Sequence, residues 1–234
     1  MDFSEFIINC CAETDHHRQS IKTLYEKAFK SWIDDFSKER SSEPRVLELK
    51  RLGLTSEDGF FIWSYTGSSS SWLNCDKRNG NNFSSSCKQE FATHLEKGLR
   101  KLPIYIGKVW RWEEADDEMR KFNWFKENIG LTIVIPYFLS TGKDNITSEP
   151  MLWEIQTIDS GNARDISTIS NNAFEAEVLF LPNAKFKITG VGRDNKTVFM
   201  QELHPDSEAE FELSKIYYDI GDIDPDMIEE GLFD

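Results

Sequence analysis

A chain of 234 residues, 39% hydrophobic and 13% aromatic, is long enough to bury one sizeable core. Its formal net charge of −14 and the lack of a basic stripe interleaved with aromatics argue against a nucleic-acid-binding protein. No apolar run approaches the ~18 residues that a membrane span needs, and the start, MDFSEFIINCC, lacks the basic and apolar regions of a secretory signal.

The charge is unevenly spread. Residues 205–234 carry eleven Asp or Glu against one Lys, a net of −10, which leaves −4 for the first 204. This stretch reads as a solvated acidic extension, or as an element that steers a basic partner. The four cysteines (Cys10, Cys11, Cys75, Cys87) form no CxxC pair and have no histidine at zinc spacing. Cys75 and Cys87 could close a loop, but reduced thiols are the better default, with no metal site.

In chain order, residues 1–50 read as helical. SIKTLYEKAFKSWIDDF puts Ile21, Leu24, Tyr25, Phe29, Trp32, Ile33 and Phe36 on one helical face. A short helix follows over Val46–Leu52. Thr55 or Ser56 caps the next helix, which runs to Tyr65-Thr66-Gly67 and has Glu57 and Asp58 in its first turn. Ser68 to Ser71 reads as a loop inside a domain. Trp72-Leu73-Asn74 opens another element, on which Asn74 and Arg78 would share a helical face. NGNNFSSS is a turn-rich loop, and Phe91–Leu102 a helix stopped by Pro103.

Beyond Pro103 the pattern changes to strands. IYIGKVWRW is extended, Glu113–Lys121 a charged loop or short helix, LTIVIPYFLSTG a strand pair broken at Pro136, and MLWEIQTI an alternating strand. DIST, EAEVLFLP, KFKITGV and TVFMQEL complete six or seven strands, with no helix long enough for a βαβ crossover. The expectation is an α+β fold with an antiparallel or mixed sheet core.

The segment SNNAFEAEVLFLP holds the most chemistry. In an extended chain Glu175 and Glu177 leave the backbone on one side, at the mouth of a buried strand. Alone, the pair reads first as a solvated strand end. It reads second as paired carboxylates for a developing positive sugar centre. No Walker loop, GxGxxG, HExxH or GxSxG signature occurs.

Taken together, the segments from roughly Leu54 to Leu203 resemble the mono-ADP-ribosyltransferases of the arginine–serine–glutamate type, found in bacterial toxins and effectors and in animal ectoenzymes. LTSEDGFFIWSYTGSSSSWLN resembles the helix ending in YTG that precedes an asparagine. LEKGLRKLPIYIGKVWRW resembles the first core strand and aligns Arg111 with the family arginine. FLSTG aligns Ser140 with the serine, and ISTISNNAFEAEVLFLPNAKFKITGV aligns Glu175 and Glu177 with the two glutamates.

The resemblance implies an N-terminal helical layer (1–53), a catalytic core with two sheets (54–204) and the acidic extension (205–234). It implies NAD as co-substrate. Glu177 would stabilise charge at the nicotinamide ribose, Ser140 would orient Glu177, and Arg111 would grip the pyrophosphate. Asn74, Arg78, Thr141 and the backbone of Trp112 would complete NAD binding. Glu175 would orient and deprotonate the acceptor, with arginine as first choice. A host or target protein, with a basic surface where the tail steers it, would be the partner of a monomeric bacterial effector delivered from the cytoplasm in which it is made.

On the residues alone, Arg111 between two tryptophans also reads as a stacked structural arginine, Ser140 as a strand-end hydroxyl and Asn74 as a helix cap. Three features depart from the family: Gly142 stands where a second serine is expected, KDNITSEP is short and lacks an aromatic, and Ser68–Ser71 replace an aromatic before Asn74. An NAD glycohydrolase, a transferase to another acceptor such as Thr, Ser or Asn, and a catalytically dead module of the same fold stand as the competing readings.

Overall fold

The computed structural model describes residues 44–66, 70–113, 119–145, 151–170 and 173–214. The helix expected over Ile21–Phe36 and residues 215–234 of the acidic stretch lie outside them. Among the described residues no helix is long and apolar enough to cross a membrane.

The chain divides into two compact units. Of the described residues, the first holds those from 44 to 73, with Phe83–Pro103 and 166–170 and 173. Its described helices are α1 (Pro44–Arg51), α2 (Ser56–Ser64), the first half of α3 (Ser70–Arg78) and α4 (Ser86–Leu99). Thr55 starts α2 through a reciprocal cap: its hydroxyl accepts from the Asp58 amide, and the Asp58 carboxylate accepts from the Thr55 amide. Burial pushes the Asp58 carboxyl up, but Lys101 at 2.6 Å and the Thr55 bonds outweigh it and hold the group below the usual range. The helices close around aromatics. Phe61 meets Phe60 and Phe91 edge-on, with centroids at 5.5 and 5.0 Å, and stacks on His94 at 4.7 Å.

Of the described residues, the second unit holds Asn74–Asn82, those within 104–165, and 174–214. Its strands are β1 (Lys108–Glu113), β2 (Thr132–Ile135), β3 (Leu139–Gly142), β4 (Met151–Gln156), β5 (Ala163–Asp165), β6 (Glu177–Phe180), β7 (Ala184–Val191), β8 (Thr197–Glu202) and β9 (Phe211–Glu212). They form one hydrogen-bonded sheet in the order β5-β6-β3-β1-β4-β8-β7-β2-β9. The expected two sheets are therefore one. The joining ladder is β4 against β8, parallel from Leu152–Thr197 to Gln156–Gln201, and parallel pairing needs the long connection these strands have. The alternating apolar residues of the strands, among them Val109, Ile133, Trp153, Ile155, Phe180, Phe186 and Met200, meet in one core.

Two elements differ from expectation. Helix α5 (Arg120–Glu127) stands mostly beyond the charged segment read as loop or short helix; it buries Phe122 and Phe125, one turn apart. The acidic stretch also returns to the sheet: β9 runs parallel to β2, and Leu213 and Ser214 after it are fully buried.

One buried carboxylate shapes the turn before β5. Glu202 accepts from the amides of Ile158 at 3.1 Å and Asn162 at 2.5 Å. Burial pushes its carboxyl up, and the amides draw it partly back. A Cβ added at Gly161 would lie 2.2 Å from a Glu202 oxygen. That oxygen cannot swing away without releasing buried amides. Gly161→Ala is therefore expected to lower unfolding stability by about 2 kcal/mol in urea titrations. A loss near zero would show the turn to be soft.

Candidate active site

Three neighbouring strands bring the aligned residues together. The sheet places β6, β3 and β1 side by side, and Gly142 of β3 pairs with Trp110 on one side and Glu177 on the other. Ser140 on β3 donates its hydroxyl to Oε1 of Glu177 on β6 at 2.6 Å. Arg111 on β1 donates Nη1 to the Ser140 carbonyl at 2.9 Å. Arg111, Ser140 and Glu177 are thus linked by hydrogen bonds across three strands. Glu177 is 3% exposed, and its bond to Ser140 is short.

Arg111 is held on more than one edge. Its Nε donates to the Glu113 carboxylate at 2.5 Å, and its guanidinium lies over Trp153, 5.9 Å from the ring centroid. Glu113 sits two residues along β1, so strand alternation brings both side chains to one side. This partner was missed in the sequence because Glu113 opens a run of charged residues read as loop.

The remaining aligned residues take different positions. Thr141 is buried and donates its hydroxyl to the Val178 carbonyl at 2.7 Å, pinning β3 to β6. Asn74, 1% exposed, donates Nδ2 to the Phe138 carbonyl at 3.0 Å and ties the middle of α3 to the approach to β3. Arg78 lies over the Tyr137 ring, 5.2 Å from its centroid, and its buried Nε has no hydrogen-bond partner among the described residues. The same holds for the indole nitrogen of Trp112.

Tyr137, 2% exposed, was not singled out from the sequence. Burial pushes its hydroxyl up to about 12, with Arg111 and Arg78 pulling down and Glu113 pushing up. Two guanidinium groups and one carboxylate therefore act on it.

The two glutamates do not stand on one extended strand, as the sequence reading expected. Glu175 ends a single 3₁₀ turn, Ala173–Glu175, and is exposed; Glu177 begins β6 and is buried. Ala176 between them has φ 45°, a left-handed conformation that disfavours a residue with a Cβ. The left-handed turn thus stands between an exposed carboxylate and a buried one. Phe174 beside Glu175 is 91% exposed, and nothing in its polar surroundings had marked it. The Lys143 amide donates to the Ala176 carbonyl at 3.1 Å, fastening the turn to the end of β3.

No family model matches the chain, and no curated protein matches it. Among solved structures it is similar to Plx2a, an ADP-ribosyltransferase toxin from Paenibacillus larvae, at 22% identity and TM-score 0.56, over 76% of this chain and 96% of that one. It is similar to the type III effector XopAI from Xanthomonas axonopodis pv. citri at 16% identity and TM-score 0.62, over 86% of each chain. It is also similar to the Vis toxin, an ADP-ribosyltransferase from Vibrio splendidus, at 18% identity and TM-score 0.51, over 87% of this chain and 94% of that one. The chain therefore has the fold of ADP-ribosyltransferase toxins.

Proposed function

We propose that the protein is an NAD-dependent mono-ADP-ribosyltransferase of the arginine–serine–glutamate type, acting as a bacterial toxin or effector on a protein acceptor. The observation that carries this reading is the hydrogen-bonded series Arg111–Ser140–Glu177 across β1, β3 and β6. A buried carboxylate oriented by a hydroxyl, next to an oriented guanidinium, suits a substrate that joins a ribose about to become positive to a pyrophosphate. By the family resemblance, Arg78 and the backbone of Trp112 would add further contacts to such a ligand.

In the reaction, the bond from the ribose carbon to the nicotinamide nitrogen breaks, and its electron pair leaves with neutral nicotinamide. Glu177 faces the resulting sugar cation. An acceptor nitrogen then forms the new bond to that carbon and loses a proton, which Glu175 takes. Arginine is the preferred acceptor. Glu175 is an exposed carboxylate, suited to a guanidinium, and the related Vis enzyme has been solved with agmatine, itself a guanidine. Phe174 beside it offers apolar area to a protein surface.

Incubation with labelled NAD and host lysate tests the proposal. Nicotinamide release with label on protein is the expected result. Release with free ADP-ribose alone would make the chain a glycohydrolase, and no release would make it a dead module. Within an active enzyme, Glu113 orients Arg111. Glu113→Ala is expected to raise KM for NAD about tenfold and change kcat less than ~threefold. Glu113→Gln still accepts from Nε and should bring KM back; an unchanged KM in both variants would remove Glu113 from NAD binding.

A further inference from the structure

Gly142 reads in the sequence as a lost hydroxyl. Its surroundings give another reason for glycine. A Cβ there would lie 3.0 Å from the Glu175 carbonyl oxygen, 3.4 Å from Cη2 of Trp112 and 3.7 Å from the Asp144 carbonyl oxygen. The first distance is tighter than ordinary contact, and a backbone oxygen cannot rotate aside as a side chain would. The adjacent Lys143 amide holds the Ala176 carbonyl at 3.1 Å. Between these two contacts lies the left-handed Ala176, whose conformation persists only where its surroundings impose it.

We infer that Gly142 is a positioning residue: the missing side chain lets the Glu175–Ala176 backbone seat against the end of β3, and this seat aims the Glu175 carboxylate at the acceptor. The consequence falls on the second half of the reaction. Glu177 pairs with Gly142 only through the backbone of the β3–β6 ladder, which an added Cβ leaves in place, and its carboxylate is held by the Ser140 hydroxyl, so cleavage of NAD proceeds when the seat is disturbed, and water replaces the acceptor. The inference rests on the transferase reading.

The test measures nicotinamide release and protein-bound label in parallel, with labelled NAD and host lysate, for wild type, Gly142→Ala and Gly142→Ser. A displacement of a few tenths of an ångström at a reacting group is expected to cut the ratio of protein label to nicotinamide about tenfold in both variants, with release changed less than ~threefold. An unchanged ratio in a folded variant overturns the inference and leaves the transferase reading intact. So does tighter NAD binding by Gly142→Ser with the ratio preserved, which would mean that a hydroxyl alone was missing. Absence of nicotinamide release from wild type overturns both the inference and the reading. If neither Gly142 variant folds, Ala176→Gly decides: it frees the turn without touching β3 and should lower the same ratio about fivefold, and an unchanged ratio there overturns the inference.

Discussion

Glu177→Gln is expected to lower nicotinamide release about 10³-fold. The glutamine keeps the volume of the side chain, and its carbonyl still accepts from Ser140, so what is lost is the charge. A carboxylate about 4 Å from a developing unit positive charge, at an effective dielectric near 20, is worth ~4 kcal/mol, or about three decades in rate. Burial at 3% exposure keeps that interaction from being screened by solvent. The same reasoning predicts where the loss appears. The ground-state sugar of NAD bears less of this charge than the transition state, so kcat should fall while KM for NAD moves less than ~threefold. Thermal unfolding of the variant within a few degrees of wild type shows that the fold is intact. A folded Glu177→Gln protein that releases nicotinamide within tenfold of wild type would take Glu177 out of the mechanism.

The strands that carry the site were legible from short apolar and aromatic runs bounded by breakers, with VLF a continuous apolar run that is buried throughout. EVLF, LSTG and KVWRWE each became a strand, and their order placed β1, β3 and β6 next to one another. The turn between the glutamates was not legible. Ala176 has no local preference for φ 45°; contacts from Gly142 and Lys143, more than thirty residues away, impose it. Helix α5 was hidden for a related reason. Met119 caps it with φ 53° and no side-chain hydrogen bond, so the usual Ser, Thr, Asp or Asn signal is absent. Strand β9 was hidden by its charge. Eleven acids in thirty residues read as a solvated tail, yet two residues pair with β2 and two more bury behind them. Gly142 had been read by what it lacks; its neighbours show what the lack accommodates.

Glu175→Gln is expected to separate the two halves of the reaction. A free guanidinium keeps its proton at neutral pH and is a poor nucleophile, so the bond to the ribose forms only as a proton is taken away. A glutamine can still hydrogen-bond to the guanidinium but can neither accept that proton nor offset the charge. General-base assistance is worth ~10²–10⁴-fold, so label transfer to protein should fall at least ~10²-fold. Nicotinamide release should fall less than tenfold, because departure of nicotinamide is uncoupled from the acceptor in a dissociative step. The placement of the residue agrees with that division: Glu175 stands exposed on the 3₁₀ turn, whereas Glu177 is buried at the start of β6 in contact with Ser140. Free ADP-ribose should then become the main product. If transfer and release instead fall together by the same factor, Glu175 acts on NAD itself, and the acceptor must be deprotonated by another group.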